Sequence, residues 1–112
     1  MINKENIIKT NNLFGGKIHN KSNLDYEIDV ANKQKNIFRS LAHIVRGMTT
    51  SHSFTDGNKR TALVVVKSEL ADIGIRCDQR KLAKSLVKLA KNREGRINII
   101  ERRLRKSCQK HM

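Results

Sequence analysis

Nine consecutive residues in the middle of the chain combine the side chains that phosphate binding and transfer require. They run His52-Ser-Phe-Thr-Asp-Gly-Asn-Lys-Arg60. Because the unperturbed pKa of histidine is about 6.5, His52 can act as a base near neutral pH. Asp56 is suited to a hard cation such as Mg²⁺, which bridges phosphate oxygens. Lys59 and Arg60 place two positive charges beside it.

Gly57 and Asn58 indicate how the backbone takes part. The pair permits a tight turn and then opens a helix, and the first amides of a helix have no intrahelical partners. These amides also carry the positive end of the helix dipole, so we expect this helix start to bind an anion. Taken singly, each residue of the segment has an ordinary structural explanation, as a boundary histidine, a first-turn carboxylate or a solvated surface cation.

The same nine residues resemble the signature of the Fic/Doc family. The following Thr61-Ala62-Leu63 is similar to the Doc branch, and the resemblance extends over roughly residues 35–107. It implies an all-α helical bundle that uses ATP and Mg²⁺ to modify a hydroxyl group of another protein. The roles it implies are catalytic base for His52, buried anchor for Phe54, Mg²⁺ ligand for Asp56, and phosphate contacts for Gly57, Asn58 and Arg60.

Two positions favour the Doc branch. Lys59 stands where AMP-transferring members usually have a glycine, and Leu63 stands where they usually have a second arginine. Doc-like members share the lysine and lack that arginine, which implies reversed nucleotide binding and transfer of the γ-phosphoryl group. Gly57 favours the other branch, since alanine also occurs there in Doc-like chains. We therefore expect a kinase-like phosphotransferase with Lys59 among the phosphate contacts, and an AMP transferase (AMPylator) is the alternative.

Hydrophobic periodicity predicts helices on both sides of the motif. Apolar residues at spacings of three and four predict a helix from about Asp29 to the threonines before His52. A second helix is expected from Asn58 to Gly74, a third over roughly 79–91 with Asp78 as its N-cap, and a last one over about 98–107. The prediction is a single all-α domain over residues 1–112. Residues 1–13 form a short helix or an arm, and residues 14–26 a loop or small hairpin equivalent to the family's flap.

The charge of the chain indicates acidic partners. The net charge is +14, and residues 76–112 hold 13 basic but only three acidic residues. A non-catalytic nucleic-acid-binding helical module is therefore an alternative of another class. With aromatic residues at 4%, few side chains are available to stack on bases. A third possibility is a domain that binds nucleotide without turnover.

The resemblance also suggests partners. It implies a protein substrate, a translation factor, in the setting of a toxin–antitoxin pair. The family's inhibitory pattern, Ser/Thr-x-x-x-Glu-Gly/Asn, is absent, because Ala90 stands at the required offset before Glu94-Gly95. We therefore expect inhibition by a separate antitoxin protein.

The cysteines and the apolar runs bear on location. Cys77 and Cys108 lie far apart without CxxC spacing, so we expect neither a disulfide framework nor a zinc site. The longest apolar run, Ala62–Val66, is far too short to span a membrane. The prediction is a cytoplasmic protein without membrane contact.

Overall fold

The structure, a computed structural model, describes residues 2–110, with the backbone alone at Lys110. The described residues form six helices and two short strands, which confirms the all-α class. In chain order the elements are α1 (Lys4–Leu13), α2 (Lys21–Asn32), α3 (Ile37–Thr49), α4 (Asn58–Ala71), β1 (Ile75–Cys77), α5 (Gln79–Lys91), α6 (Ile97–Ser107) and β2 (Cys108–Lys110).

Asparagine and aspartate side chains start most of the helices. Asn3, Asn20, Asn36 and Asp78 each accept a hydrogen bond from an amide in the first turn of the helix that follows. The α5 prediction is confirmed with its cap. The single helix expected from Asp29 is wrong, because α2 ends at Asn32 and Asn36 caps a new helix. The chain turns between them without glycine or proline, and the sequence pattern therefore hid the break.

Helix α3 lies at the centre of the molecule and packs against α2, α4, α5 and α6. Its predicted stripe is buried, as are the leucines that α5 turns inward. Helix α4 packs against α1, α3, α5 and β1, which agrees with its apolar residues on more than one face. Ile73 was expected to continue this face, but α4 ends at Ala71 and the Ile73 side chain is 54% exposed.

A two-stranded antiparallel sheet joins the end of α4 to the end of the described chain. Strand β1 pairs with β2 so that Cys77 lies opposite Cys108. The two cysteines form a disulfide across a sequence separation of 31 residues. The expectation of unpaired cysteines is therefore wrong, because the pairing of the strands brings together residues that are remote in sequence.

Residues 14–26 were expected to form a loop or a small hairpin, and no hairpin forms. Residues 14–20 are a loop, and Lys21–Tyr26 are the first turns of α2. Within this loop Ile18 makes one antiparallel bridge with Phe54 of the motif. The loop is therefore attached to the motif itself instead of folding back on its own chain.

Among residues 2–110, each helix is too short or too polar to cross a lipid bilayer.

Candidate functional site

The first turn of α4 presents free amide groups to solvent. Gly57 precedes the helix in the left-handed conformation, with φ of 72°, and no side chain caps the helix. The first helical hydrogen bond runs from the Thr61 amide to the Gly57 carbonyl at 2.8 Å. The amides of residues 58–60 come before that bond and have no acceptor within residues 2–110. Free amides at a helix start are the arrangement that can bind an anion, as the sequence predicts for this segment.

A surface cleft of about 300 Å³ lies at this helix start, lined by Phe14 and by Asp56, Gly57, Asn58, Lys59 and Arg60. Lys59 and Arg60 are exposed, and neither forms an ion pair with a carboxylate of the described chain. Five of the seven site residues named from the sequence thus border one cleft. Two free cations and three free amides there favour a bound anion.

The Asn58 side chain closes the motif loop. Its Oδ1 accepts a hydrogen bond from the Phe54 amide at 3.1 Å, and its Nδ2 donates to the Phe54 carbonyl at 2.8 Å. Phe54 is 1% exposed and Asn58 9% exposed, so both bonds are shielded from water. Because both polar atoms of the Asn58 side chain bind Phe54, the backbone N–H of Asn58 is the group that is left to bind an anion.

His52 lies on the exposed part of the loop, four residues before the cleft. It adopts a left-handed backbone conformation, with φ of 48°, which is uncommon for a residue with a side chain. The next residue holds the loop in place, because the Ser53 amide and hydroxyl both donate to the Gly47 carbonyl, at 3.1 and 2.9 Å. His52 is not among the residues that line the cleft. Its exposed imidazole is accessible to a macromolecular substrate.

Asn11 is a site residue that sequence reasoning missed. It is fully buried at the end of α1, and its Nδ2 donates to the Asp56 carbonyl at 2.8 Å and to the Thr61 hydroxyl at 3.1 Å. It thereby ties α1 to the loop before α4 and to the first turn of α4. An asparagine at an interior helix position was the only signal, and it is weak without the fold.

The loop over residues 14–20 is fastened to the motif by main-chain bonds. The His19 amide donates to the Ser53 carbonyl at 2.8 Å, and the Thr55 amide donates to the Lys17 carbonyl at 2.8 Å. Gly16 packs so closely on Asn11 and on the Asp56 backbone that a Cβ atom there would overlap both. The cleft therefore has one wall from the motif and one from the chain before α2.

A buried ion pair fixes the helix that leads into the motif. Arg46 of α3 binds both carboxylate oxygens of Glu27 in α2, at 2.8 and 3.0 Å, and Glu27 is 3% exposed. His43 packs beside them, and burial lowers its pKa below the ordinary value. His43 therefore belongs to the α2–α3 contact. The Arg46 carbonyl accepts the Thr50 and Ser51 amides, so the pair also supports the start of the motif loop.

Fold and site together define a small helical domain with an uncapped helix start beside two exposed cations. The sequence model of the Fic/DOC family matches residues 9–70, which is more than half of the chain. The chain belongs to the Fic/DOC family, whose members are generally transferases that use a nucleotide. The match begins well before residue 35, where we expected the resemblance to start, and it ends before α5. No curated protein and no solved structure matches the chain.

Proposed function

We propose that this protein is an ATP-dependent, protein-modifying transferase of the Doc type that moves the γ-phosphoryl group to a hydroxyl of another protein. The observation that carries the proposal is the uncapped start of α4, where three free amides, Lys59 and Arg60 border one cleft. Such a site stabilises the negative charge that phosphoryl transfer spreads over the phosphate oxygens. A neutral ligand would leave these charges uncompensated.

Asp56 supports a role for Mg²⁺ with the nucleotide. Its carboxylate accepts the Gly57 amide at 2.7 Å through Oδ1, while Oδ2 has no protein donor within residues 2–110. A carboxylate beside an anion site repels phosphate unless a cation lies between them. Mg²⁺ commonly binds through one or two carboxylates together with substrate phosphates, and one exposed aspartate fits that pattern. When bound, the ion would neutralise phosphate charge at Asp56.

Lys59 supports phosphoryl transfer over AMP transfer. Its long cationic side chain occupies the cleft at the position where AMP-transferring members usually have glycine, so the phosphates meet an additional charge. Leu63, in place of a second arginine, is only partly exposed and packs against the core. Gly57 supports the alternative, AMP transfer of the Fic type.

His52 is the proposed general base. It would accept the proton of a serine, threonine or tyrosine hydroxyl while that oxygen attacks the phosphorus. General base catalysis of this kind contributes about 10²–10⁴ in rate. The family points to a protein substrate, and we propose a translation-related protein as that substrate and a separate antitoxin protein as the inhibitor. The loop over residues 14–20 is placed to contact the substrate chain beside His52.

The test uses ATP labelled on either the α or the γ phosphate, incubated with the protein and cell extract. We expect γ label on a protein band, and at least a hundredfold less in His52→Ala. Arg93→Ala is the matched control, because Arg93 is also an exposed residue with a positive φ, 49° against 48° for His52, and it should label normally. Circular dichroism confirms that both variants fold.

Three results would decide against the proposal in different ways. Label from the α phosphate alone would replace phosphoryl transfer by AMP transfer and leave the site assignment intact. Equal labelling by the wild type and His52→Ala would remove His52 as the base. If the protein binds ATP but no label appears on any protein, it is a nucleotide-binding domain without turnover.

A further inference from the structure

Helix α5 exposes a line of lysines on the side opposite its buried leucines. The buried face consists of Leu82, Leu86 and Leu89. The exposed lysines are Lys81, Lys84, Lys88 and Lys91. At a rise of 1.5 Å per residue, the line extends for about 15 Å along the helix. It lies outside the part of the chain that the family model matches.

Two surface clefts follow this line. A polar cleft of about 290 Å³ at the start of α5 includes Arg76, Lys81 and Lys106. A second cleft, of about 550 Å³, runs along the helix and includes Lys84, Lys88 and Lys91. We call these six cations the α5 ridge. One cleft thus lies at the start of α5 and the other along its second half.

The positive charge of the ridge is not neutralised within the described chain. Three acidic residues lie between residue 76 and the C-terminus, and two of them are paired outside the ridge. Asp78 borders the polar cleft but accepts the Lys81 amide as the α5 cap. Glu94 pairs with Arg96, and Glu101 pairs with Arg39 and Arg105. None of the six ridge cations forms an ion pair with a carboxylate of residues 2–110.

Helix stability does not account for the ridge. Lys88 and Lys91 lie in the last turn of α5, where cations interact favourably with the helix dipole. Lys81 lies near the first turn, where the same dipole disfavours a positive charge. The line of lysines thus extends to the N-terminal end of α5, where a positive charge destabilises the helix. Because helix stability does not explain a lysine at this position, a role in binding is favoured.

The ridge fits a phosphate backbone better than a protein helix. The lining of the cleft along the helix is largely apolar, but besides the methylene groups of its lysines the apolar part consists of Ala83 and Val87. Val87 is the only large exposed hydrophobic residue of α5. A docked protein helix needs a cluster of well-packed apolar anchors, which two such residues do not provide. Phosphate contacts need only cations and carry no sequence information. We propose that the α5 ridge binds the phosphodiester backbone of a nucleic acid without reading its bases.

The test measures fluorescence anisotropy of short labelled oligouridylate, oligoadenylate and oligothymidylate between about 50 and 200 mM salt. We expect similar affinities for all three. The slope of log K against log salt is about −0.7 per contacted phosphate on a single strand, which gives about −4 for six contacts. In Lys84→Gln/Lys88→Gln the slope should weaken by about 1.4. The control variant Lys9→Gln/Lys35→Gln removes the same charge at two exposed positions, one in α1 and one after α2. It should leave the slope unchanged.

The experiment can overturn the inference in three ways. If the control variant weakens the slope as much as the ridge variant, binding reflects overall charge and no ridge exists. Equal affinity for polyglutamate of matched charge would assign the ridge to acidic polypeptides. A preference of many-fold among the three oligonucleotides would show base recognition. His52→Ala should bind like the wild type, so failure of the proposed transferase activity would leave this result unaffected.

Discussion

Helices α4 and α5 pack against each other, yet their starts are built in opposite ways. Asp78 caps α5 by accepting the Lys81 amide at 3.0 Å, whereas Gly57 leads into α4 without a side-chain cap. Three further helices carry asparagine caps, whereas the start of α6, like that of α4, has no side-chain cap. What sets the open start of α4 apart is the cleft beside it with Lys59 and Arg60, which favours an anion there.

Removing the Asn58 side chain should lower the free energy of unfolding more than any other change at the start of α4 or α5. Asn58→Ala breaks both bonds to Phe54 and leaves a buried amide and a buried carbonyl unpaired, so we expect a loss of about 2–4 kcal/mol. Urea unfolding measures the free energy. Asn12→Ala, at an exposed position of α1, is the control and should cost little. A small loss at Asn58 would mean that the open α4 start does not depend on this closure.

Two glycine replacements separate the cost of a positive φ from the cost of the contact with Phe14 at the start of α4. Gly57→Ala has to hold a positive φ and places a Cβ 2.8 Å from that of Phe14, so we expect a loss of about 2–3 kcal/mol. Gly15→Ala also has a positive φ but meets nothing within 4 Å, and it should cost about 1–2 kcal/mol. Thermal unfolding of the pair compares them. Equal losses would show that the contact with Phe14 carries no cost.

Acid should weaken the start of α5 and leave the start of α4 unaffected. The backbone hydrogen bond from Lys81 holds the pKa of Asp78 below its ordinary value. A carboxyl with a lowered pKa contributes stability above its unfolded pKa, and this contribution is lost as the pH falls through the folded pKa. Amide exchange at Lys81 against pH measures this, and Asp78→Asn should remove the dependence. An equal acid response at the amides of residues 58–60 would contradict the contrast.

Local signals predicted the elements that one stretch of sequence encodes. Asp78 and the leucine period of α5 mark that helix fully, and Gly57-Asn58 marks the start of α4. The boundary between α2 and α3 was missed because Asn36 acts as a cap within a stretch that lacks glycine and proline. The loop was predicted correctly over residues 14–20, but the start of α2 at Lys21 was missed. The bridge between Ile18 and Phe54 was missed because a local sequence pattern does not show which remote residue a segment pairs with.

The site was predictable only where its residues are contiguous. The motif over residues 52–60 contains most of the cleft lining, so the sequence alone located it. Phe14 lines the same cleft at the end of α1, and Asn11 holds the Asp56 backbone beside it. Glu27 supports the motif loop through its buried pair with Arg46. These positions depend on long-range contacts, which composition and periodicity do not encode.

The Cys77–Cys108 bond closes residues 77–108 into a covalent ring that contains all of α5 and α6. A protease that nicks the exposed turn around Arg93 and Gly95 would therefore release no fragment, because both pieces stay joined through the sulfur atoms. The nicked chain would run as two bands only after reduction, and the disulfide would keep α6 attached to the rest of the chain.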